Sequence, residues 1–353
     1  MDFAAHSDPF VRYAFWAGLV SFLLAALTIL IIILLRAAEA WRAQRKRHLL
    51  NVWQPLLAKT LIGEQITPPA VRSAELIDFL YLWLHFHESL RGESKHTLNE
   101  ILRAQQLLSP MCRMLKRGST QQKLVVATAL GHARGSEAWN ELVPLAHDDS
   151  PALSITAARA LMMIDAAAAA DVVIPLIIRR RDWPPARLAV MLKEVEQPFV
   201  ERFLEAVTEA ATTQAPYLVR LLRLAEAMGL NRPLPFLAEL LRHSEQPEVI
   251  AACLRILQDP GCLDLVRSHA SHPDWIVRVQ VANALRRLGG REDLPCLLQL
   301  LGAPEWWVRY RAAQAIVDAP YLQADEPRRL QAAHTDRYAR DILQQVMAER
   351  SYL

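Results

Sequence analysis

Residues 273–301 read PDWIVRVQVANALRRLGGREDLPCLLQLL, and residues 304–320 begin the same phrase again as PEWWVRYRAAQAIVDAP. Pro273 answers Pro304, Asp274 answers Glu305, Trp275 answers Trp306, and Val277-Arg278 answers Val308-Arg309. Ala282 answers Ala313 and Leu285 answers Ile316, every pair 31 residues apart. A fixed period in this range marks stacked supersecondary units, a solenoid, in which each unit buries its apolar face on its neighbours.

Within the phrase, Val277, Val281, Ala284, Leu285 and Leu288 fall at helical spacing and make one apolar face. Asp274 stands in the first turn, where a negative charge suits the helix dipole. Gly289-Gly290 is expected to stop the helix through a left-handed conformation. Leu294, Leu297, Leu298 and Leu301 repeat the apolar face on a second, shorter helix, and the small Ala282 and Ala284 let the two helices approach closely.

Asp274, Val277-Arg278, Ala282, Ala284-Leu285 and Leu297-Leu298, with their counterparts one unit on, resemble the HEAT repeat in its short form of about thirty residues, the form also found in phycobilisome-lyase-type proteins. Earlier stretches keep the register. Ala129-Leu130 and Ala160-Leu161 are 31 apart, as are Pro144-Leu145 and Pro175-Leu176, and Cys253-Leu254 lies 31 before Ala284-Leu285. Units are expected to begin near residues 119, 150, 182, 214, 244, 274 and 305. The resulting fold class is all-α: an α-solenoid of about seven HEAT-like helix pairs preceded by one transmembrane helix.

Tyr13 to Leu35 holds 23 residues without a charge, and roughly 20 apolar residues cross a bilayer. Tyr13 and Trp16 mark one interface and Trp41 lies beyond the other. A cleaved signal peptide is the rival reading, with Ala38-Glu39-Ala40 as its cleavage site. Against it stand Asp2 and Asp8 where positive charge belongs, an apolar stretch longer than the usual 7–15 residues, and basic residues just past the cut. Arg36, Arg42, Arg45, Lys46 and Arg47 set the orientation: the short N-terminal tail outside, the bulk of the chain cytoplasmic. The cluster either sets topology alone or also touches anionic lipid headgroups. Within the span, Ala17, Ser21 and Ala25 recur every fourth residue with Gly18 beside them. Small residues so spaced suit helix–helix packing in lipid, although alanine is also common throughout this chain.

The expected organisation is a tail (1–12), a transmembrane helix (13–35), a basic juxtamembrane helix interrupted by Pro55 (36–62), an N-terminal helical cap (63–118), HEAT-like repeats (119–335) and a C-terminal capping helix (336–353). Within the N-terminal cap, a strongly apolar helix is expected from Ala70 to Arg91. The helix from Asp336 reads as breaking the 31-residue phrase, as a terminal unit shielding the last apolar face does.

The charge distribution bears on partners. Of 40 Lys/Arg and 37 Asp/Glu, residues 1–62 hold seven and three, which leaves 33 basic against 34 acidic residues in the remainder. A solenoid that wrapped nucleic acid would carry the basic excess itself, so no nucleic acid is expected. The four cysteines, Cys112, Cys253, Cys262 and Cys296, form no CxxC and fit a reducing compartment.

No phosphate-binding loop, dinucleotide fingerprint, nucleophile elbow or zinc-protease motif occurs, so no catalytic residue, metal or cofactor is expected. His85 and His87, two apart on a helix, point away from each other. Arg179-Arg180-Arg181 reads as a solvated helix end, and Arg278 and Arg309 as ladder residues pairing with an acid of the next unit. Trp183, Trp275, Trp306 and Trp307 open three units and should line one edge, either as half-buried packing or as a protein-binding surface. The expected role is a non-enzymatic scaffold held as a single-pass protein of the bacterial inner membrane, its partner a protein, with a membrane enzyme or envelope-assembly complex as a natural setting. Resemblance to the phycobilisome-lyase type implies the alternative, a lyase-like enzyme or accessory subunit acting on a protein or cofactor.

Overall fold

A computed structural model describes residues 9–61, 68–90, 93–230 and 233–351. The protein is an all-α solenoid, with no strand among the described residues. The chain divides into two compact units, residues 1–142 and 143–353.

The first unit holds α1 (Pro9–Leu61), α2 (Leu76–Ser89), α3 (Glu93–Ala104), α4 (Leu108–Arg117) and α5 (Thr120–Ala133), and α6 (Trp139–Ala146) spans the division. The helix α1 runs unbroken for 53 residues. Its Tyr13–Leu35 stretch is uncovered, and this is the one helix among the described residues long and apolar enough to cross a membrane. Farther along, Leu49, Trp53 and Leu57, four apart, are buried against α2, with the Trp53 and Phe79 rings 4.6 Å apart edge to face. The expected interruption at Pro55 does not occur. Pro55 and Asn51, whose carbonyl loses its partner, both lie on the exposed side, where water replaces the lost bond. The expected helix from residue 70 starts only at Leu76: residues 68–72 carry no regular structure, 73–75 form a turn, and the side-chain amide of Gln105 bridges the stretch. Gln105 Oε1 accepts the Val71 N–H (3.2 Å) and Nε2 donates to the Pro68 carbonyl (3.3 Å). Trp83 is fully buried and donates its indole N–H to the Leu98 carbonyl at 2.9 Å.

In the second unit, α7 (Pro151–Ile164) pairs with α8 (Ala166–Arg179), followed by α9 (Pro185–Lys193), α10 (Gln197–Thr212), α11 (Leu218–Met228), α12 (Pro235–His243), α13 (Pro247–Ile256), α14 (Leu263–Ser268), α15 (Trp275–Leu288), α16 (Leu294–Leu301), α17 (Trp306–Val317), α18 (Glu326–Ala333) and α19 (Arg337–Ser351). From α9, the odd-numbered helices pack in succession as one layer, and α8, α10, α12 and α14 line the other. Alanines make this stacking close: Ala157, Ala158 and Ala160 in α7, and Ala312, Ala313 and Ala315 in α17, are buried.

Proline at the first turn opens α7, α9 and α13, where its missing N–H costs nothing. Ser119 opens α5 with a full capping box to Gln122. The opening helices begin at residues 120, 151, 185, 218, 247, 275, 306 and 337. The 31-residue interval thus holds at the ends and drifts between them.

Gly289 does not take the expected left-handed conformation; its φ is −73°. Space, not handedness, selects glycine, since a Cβ there would lie 2.5 Å from the Leu285 carbonyl oxygen. The nearby Asp293 is completely buried. It accepts the Gly290 N–H (2.8 Å) and the Arg267 Nε–H (2.6 Å), so its charge is paired and its oxygens are satisfied.

Candidate functional site

The edge formed by the openings of α15, α17 and α19 is built by one repeated device. Asp274 caps α15, its Oδ1 accepting the Ile276 N–H at 2.7 Å, while its own N–H donates to His272 Nδ1 at 3.0 Å. Asp336 repeats both bonds, with the Tyr338 N–H at 3.1 Å and His334 Nδ1 at 3.2 Å. Arg278 then reaches back to the carbonyls of His272 (2.5 Å) and Pro273 (3.0 Å). Arg309 does the same to Ala303 and Pro304, and Arg340 to His334 and Thr335. Each guanidinium closes carbonyls that the loop leaves open, a charge-assisted bond stronger than a neutral one. The expected pairing to the next unit is present at Arg278, whose Nη2 lies 2.5 Å from Glu305 Oε2. That bond holds the Glu305 carboxyl below its ordinary range.

The helix α19 therefore keeps the phrase it was expected to break. His334-Thr335-Asp336 and Arg340 answer His272-Pro273-Asp274 and Arg278 two periods earlier, and H-x-D-x-x-x-R was the signal available in the sequence. The tryptophans obscured it, because Trp275 and Trp306 give way to Arg337.

With the helix starts locked, the first-turn side chains are held outward. Trp275, Ile276, Trp306 and Trp307 are exposed by 41%, 43%, 42% and 51%, and Tyr338 by 67%. Trp306 stacks on Tyr310 with centroids 4.8 Å apart and planes 11° off parallel. Trp307 stands edge-on to Trp306 at 4.6 Å, and the Arg309 guanidinium lies 5.3 Å from the Tyr338 ring centre. Tyr310 donates its hydroxyl to Glu349 Oε2 at 2.8 Å, which raises the phenol's pKa; the Gln345 amide, followed by this bond, lowers the carboxyl's. Amphipathic rings with few rotatable bonds, held on a rigid frame, are suited to burial against another surface at small entropic cost.

Trp183 does not share this edge. It is 1% exposed, and its indole N–H donates to Ser154 Oγ (3.2 Å), which donates in turn to the Ala146 carbonyl (2.5 Å). The residue before it is held differently as well. Asp182 takes a two-pronged bond from Arg180 (2.9 and 2.7 Å), and Arg180 also donates to the carbonyls of Asp148 and Asp149. Arg180 is thus a clamp between successive turns and not the solvated helix end expected.

The other expected residues are uncovered. Ala17, Gly18, Ser21 and Ala25 lie on the exposed part of α1, and a Cβ at Gly18 would meet nothing within 4 Å. Arg36, Arg45, Lys46 and Arg47 are exposed and make no ion pair among the described residues; the side chain of Arg42 lies outside those described.

Among the described residues no three of His, Cys, Asp and Glu come together as metal ligands. Burial pushes the Cys253 thiol up to about 12 and raises those of Cys112 and Cys296, the opposite of an activated nucleophile. His85 is exposed while His87 is buried against Trp83 and His132, so the two do point apart.

Residues 234–317, which run from the start of α12 to the end of α17, match the family model for HEAT repeats. No curated protein matches the chain.

Proposed function

We propose that this HEAT-repeat chain is a scaffold that α1 holds at a membrane and whose solenoid docks a partner protein on the edge opened by Trp275, Trp306 and Trp307. HEAT repeats in a helical solenoid point broadly to protein interaction. The observation that carries the finer reading is the outward aromatic group on consecutive units, held by the Asp cap and Arg clamp beneath it. A solenoid gains nothing in its own fold from exposing large rings at an opening, whereas an interface concentrates its energy in such residues.

The membrane part rests on the uncovered apolar length of α1 and on the basic residues that follow it. Lys/Arg-rich flanks stay on the cytoplasmic side, so the reading places the solenoid in the cytoplasm of a bacterial cell, against the inner membrane. A membrane enzyme or an envelope-assembly complex fits that placement as the partner.

The test is Trp275→Ala with Trp306→Ala in the full chain. Capture of the partner identified by co-purification in detergent should weaken by about 2 kcal/mol, near thirtyfold, as expected for hot-spot residues. Unchanged capture with a lowered melting temperature would make the rings packing residues.

A further inference from the structure

The second unit also carries a groove in the layer of α8, α10, α12 and α14, which reaches the turns that open α11 and α13 and shares no residue with the aromatic group. In that layer α8 packs closely along α10, whereas α10 and α12 only graze each other. The cause lies in the chain. The helix α10 runs 16 residues to Thr212, with Gln214 just past it in the left-handed region, while α12 is only nine residues and begins at a proline. The start of α12 lies beside the middle of α10, at Thr208, and the two helices leave a gap between them from there on. The result is a groove of about 880 Å³ between α10 and the α12–α13 turn, continued toward the start of α10 by a second volume of about 620 Å³; the two share Thr208, Pro235 and Phe236.

Apolar side chains floor the groove, and its rim sets four carboxylates among neutral polar side chains and His243. Leu204, Leu218 and Val249 are buried beneath it, with Phe236 half-buried. Glu201, Glu205, Glu239 and Glu245 line it and are exposed, and no Lys or Arg does so among the described residues. Glu201 and Glu205 stand one helical turn apart on α10, and Glu209 continues that row. Arg202 and Arg242 pair with Glu205 (3.0 Å) and Glu239 (2.5 Å) from outside the groove. Glu201 receives only the Gln197 amide (3.3 Å), and Glu245 has no cation partner among the described residues.

An apolar floor beneath a rim on which Glu201 and Glu245 lack a cation, and on which no lysine or arginine stands, selects its occupant by charge. Nucleic acid and anionic headgroups would meet like charge at the rim, while a segment with apolar side chains flanked by lysine or arginine would satisfy both parts. We propose that the α10–α12 groove binds a basic amphipathic segment of a partner protein, at a site separate from the aromatic edge.

The test uses the full chain in a non-ionic detergent. The probe is an 18-residue peptide of lysine, alanine and leucine carrying a photo-crosslinker, with the glutamate-for-lysine peptide as control. Crosslinks should map to α10, α12 and the turn after α12, and should fade as salt rises. Glu201→Lys with Glu245→Lys should lower their yield about tenfold, as expected when rim charges steer association, and the Gln pair should lower it less. All four carboxylates are exposed, so unchanged melting curves are expected and would exclude misfolding. Trp275→Ala with Trp306→Ala should leave the yield unaltered, which separates this site from the aromatic edge. Crosslinks elsewhere, equal yield with the acidic peptide, or a yield indifferent to both Glu pairs would overturn the proposal.

Discussion

At the residue scale, two adjacent glycines in this fold do different work. A methyl group on Gly289 would strike the Leu285 carbonyl at 2.5 Å, a backbone atom that cannot step aside. One on Gly290 would meet only the Glu292 carboxylate at 2.6 Å, the free end of a flexible side chain. Gly289→Ala should therefore cost about 1–3 kcal/mol by overpacking, and Gly290→Ala within about 0.5 kcal/mol, read by denaturant unfolding. Equal costs would discard the steric argument. His87 makes a second case. It is 3% exposed, neither ring nitrogen has a hydrogen-bond partner, and burial together with the nearby Lys95 charge lowers its pKa from 6.5 to about 4. Between those values the unfolded chain binds the extra proton, so stability is full above pH 6.5 and falls as the pH drops toward 4. The loss at pH 5 should be roughly 2 kcal/mol. His87→Leu should unfold with a midpoint nearly indifferent to pH over that window; a slope equal to the wild type's would assign the acid sensitivity to other groups. Nothing in a periodicity marks His87 as orphaned, since its neighbours Trp83 and His132 come from two helices.

At the scale of elements, α1 does two jobs with one helix. Its second half is pinned by Leu49, Trp53 and Leu57, while its first half presents side chains to whatever surrounds it. If the row Ala17, Ser21 and Ala25 packs on another span, Ala17→Ile with Ser21→Ile fills it while keeping the segment apolar. Insertion should survive, and association in a membrane two-hybrid assay should fall severalfold, by the 1 kcal/mol or so that close packing contributes. Full association by the double variant would leave α1 a simple anchor. The repeat helices were legible as elements because their signals are local: an aspartate or proline at the start, a glycine at the end, apolar residues three and four apart. Boundaries failed where the signal came from elsewhere in the fold. Residues 70–75 read as the start of the apolar helix that follows, yet Gln105, more than thirty positions away, bonds Val71 and Pro68, and the helix begins only at Leu76. The helix α19 was misjudged for the opposite reason. Its aromatic positions changed, but the His, Asp and Arg that build the opening did not.

For the whole molecule, the reading that places the solenoid in the cytoplasm makes a direct prediction. Alkaline phosphatase fused after Leu353 should be inactive, and a fluorescent protein fused there should glow; active phosphatase would reverse the topology. The solenoid itself followed from sequence alone, because a 31-residue period and one-sided apolar faces leave stacking as the way to bury them. Two of the repeat's arginine clamps, Arg278 and Arg309, could be found by matching positions one period apart. Which tryptophans face outward could not. Trp183 and Trp275 both open a unit, but a serine hydroxyl waits for the indole of Trp183 and none waits for that of Trp275. The α10–α12 groove escaped for a related reason. Helix lengths of 16 and nine residues are visible as elements, but the space between them exists only once neighbouring helices fix how far apart the two lie. Period, caps and charge are properties of the chain read along itself, whereas exposure and concavity belong to surfaces that distant segments make together.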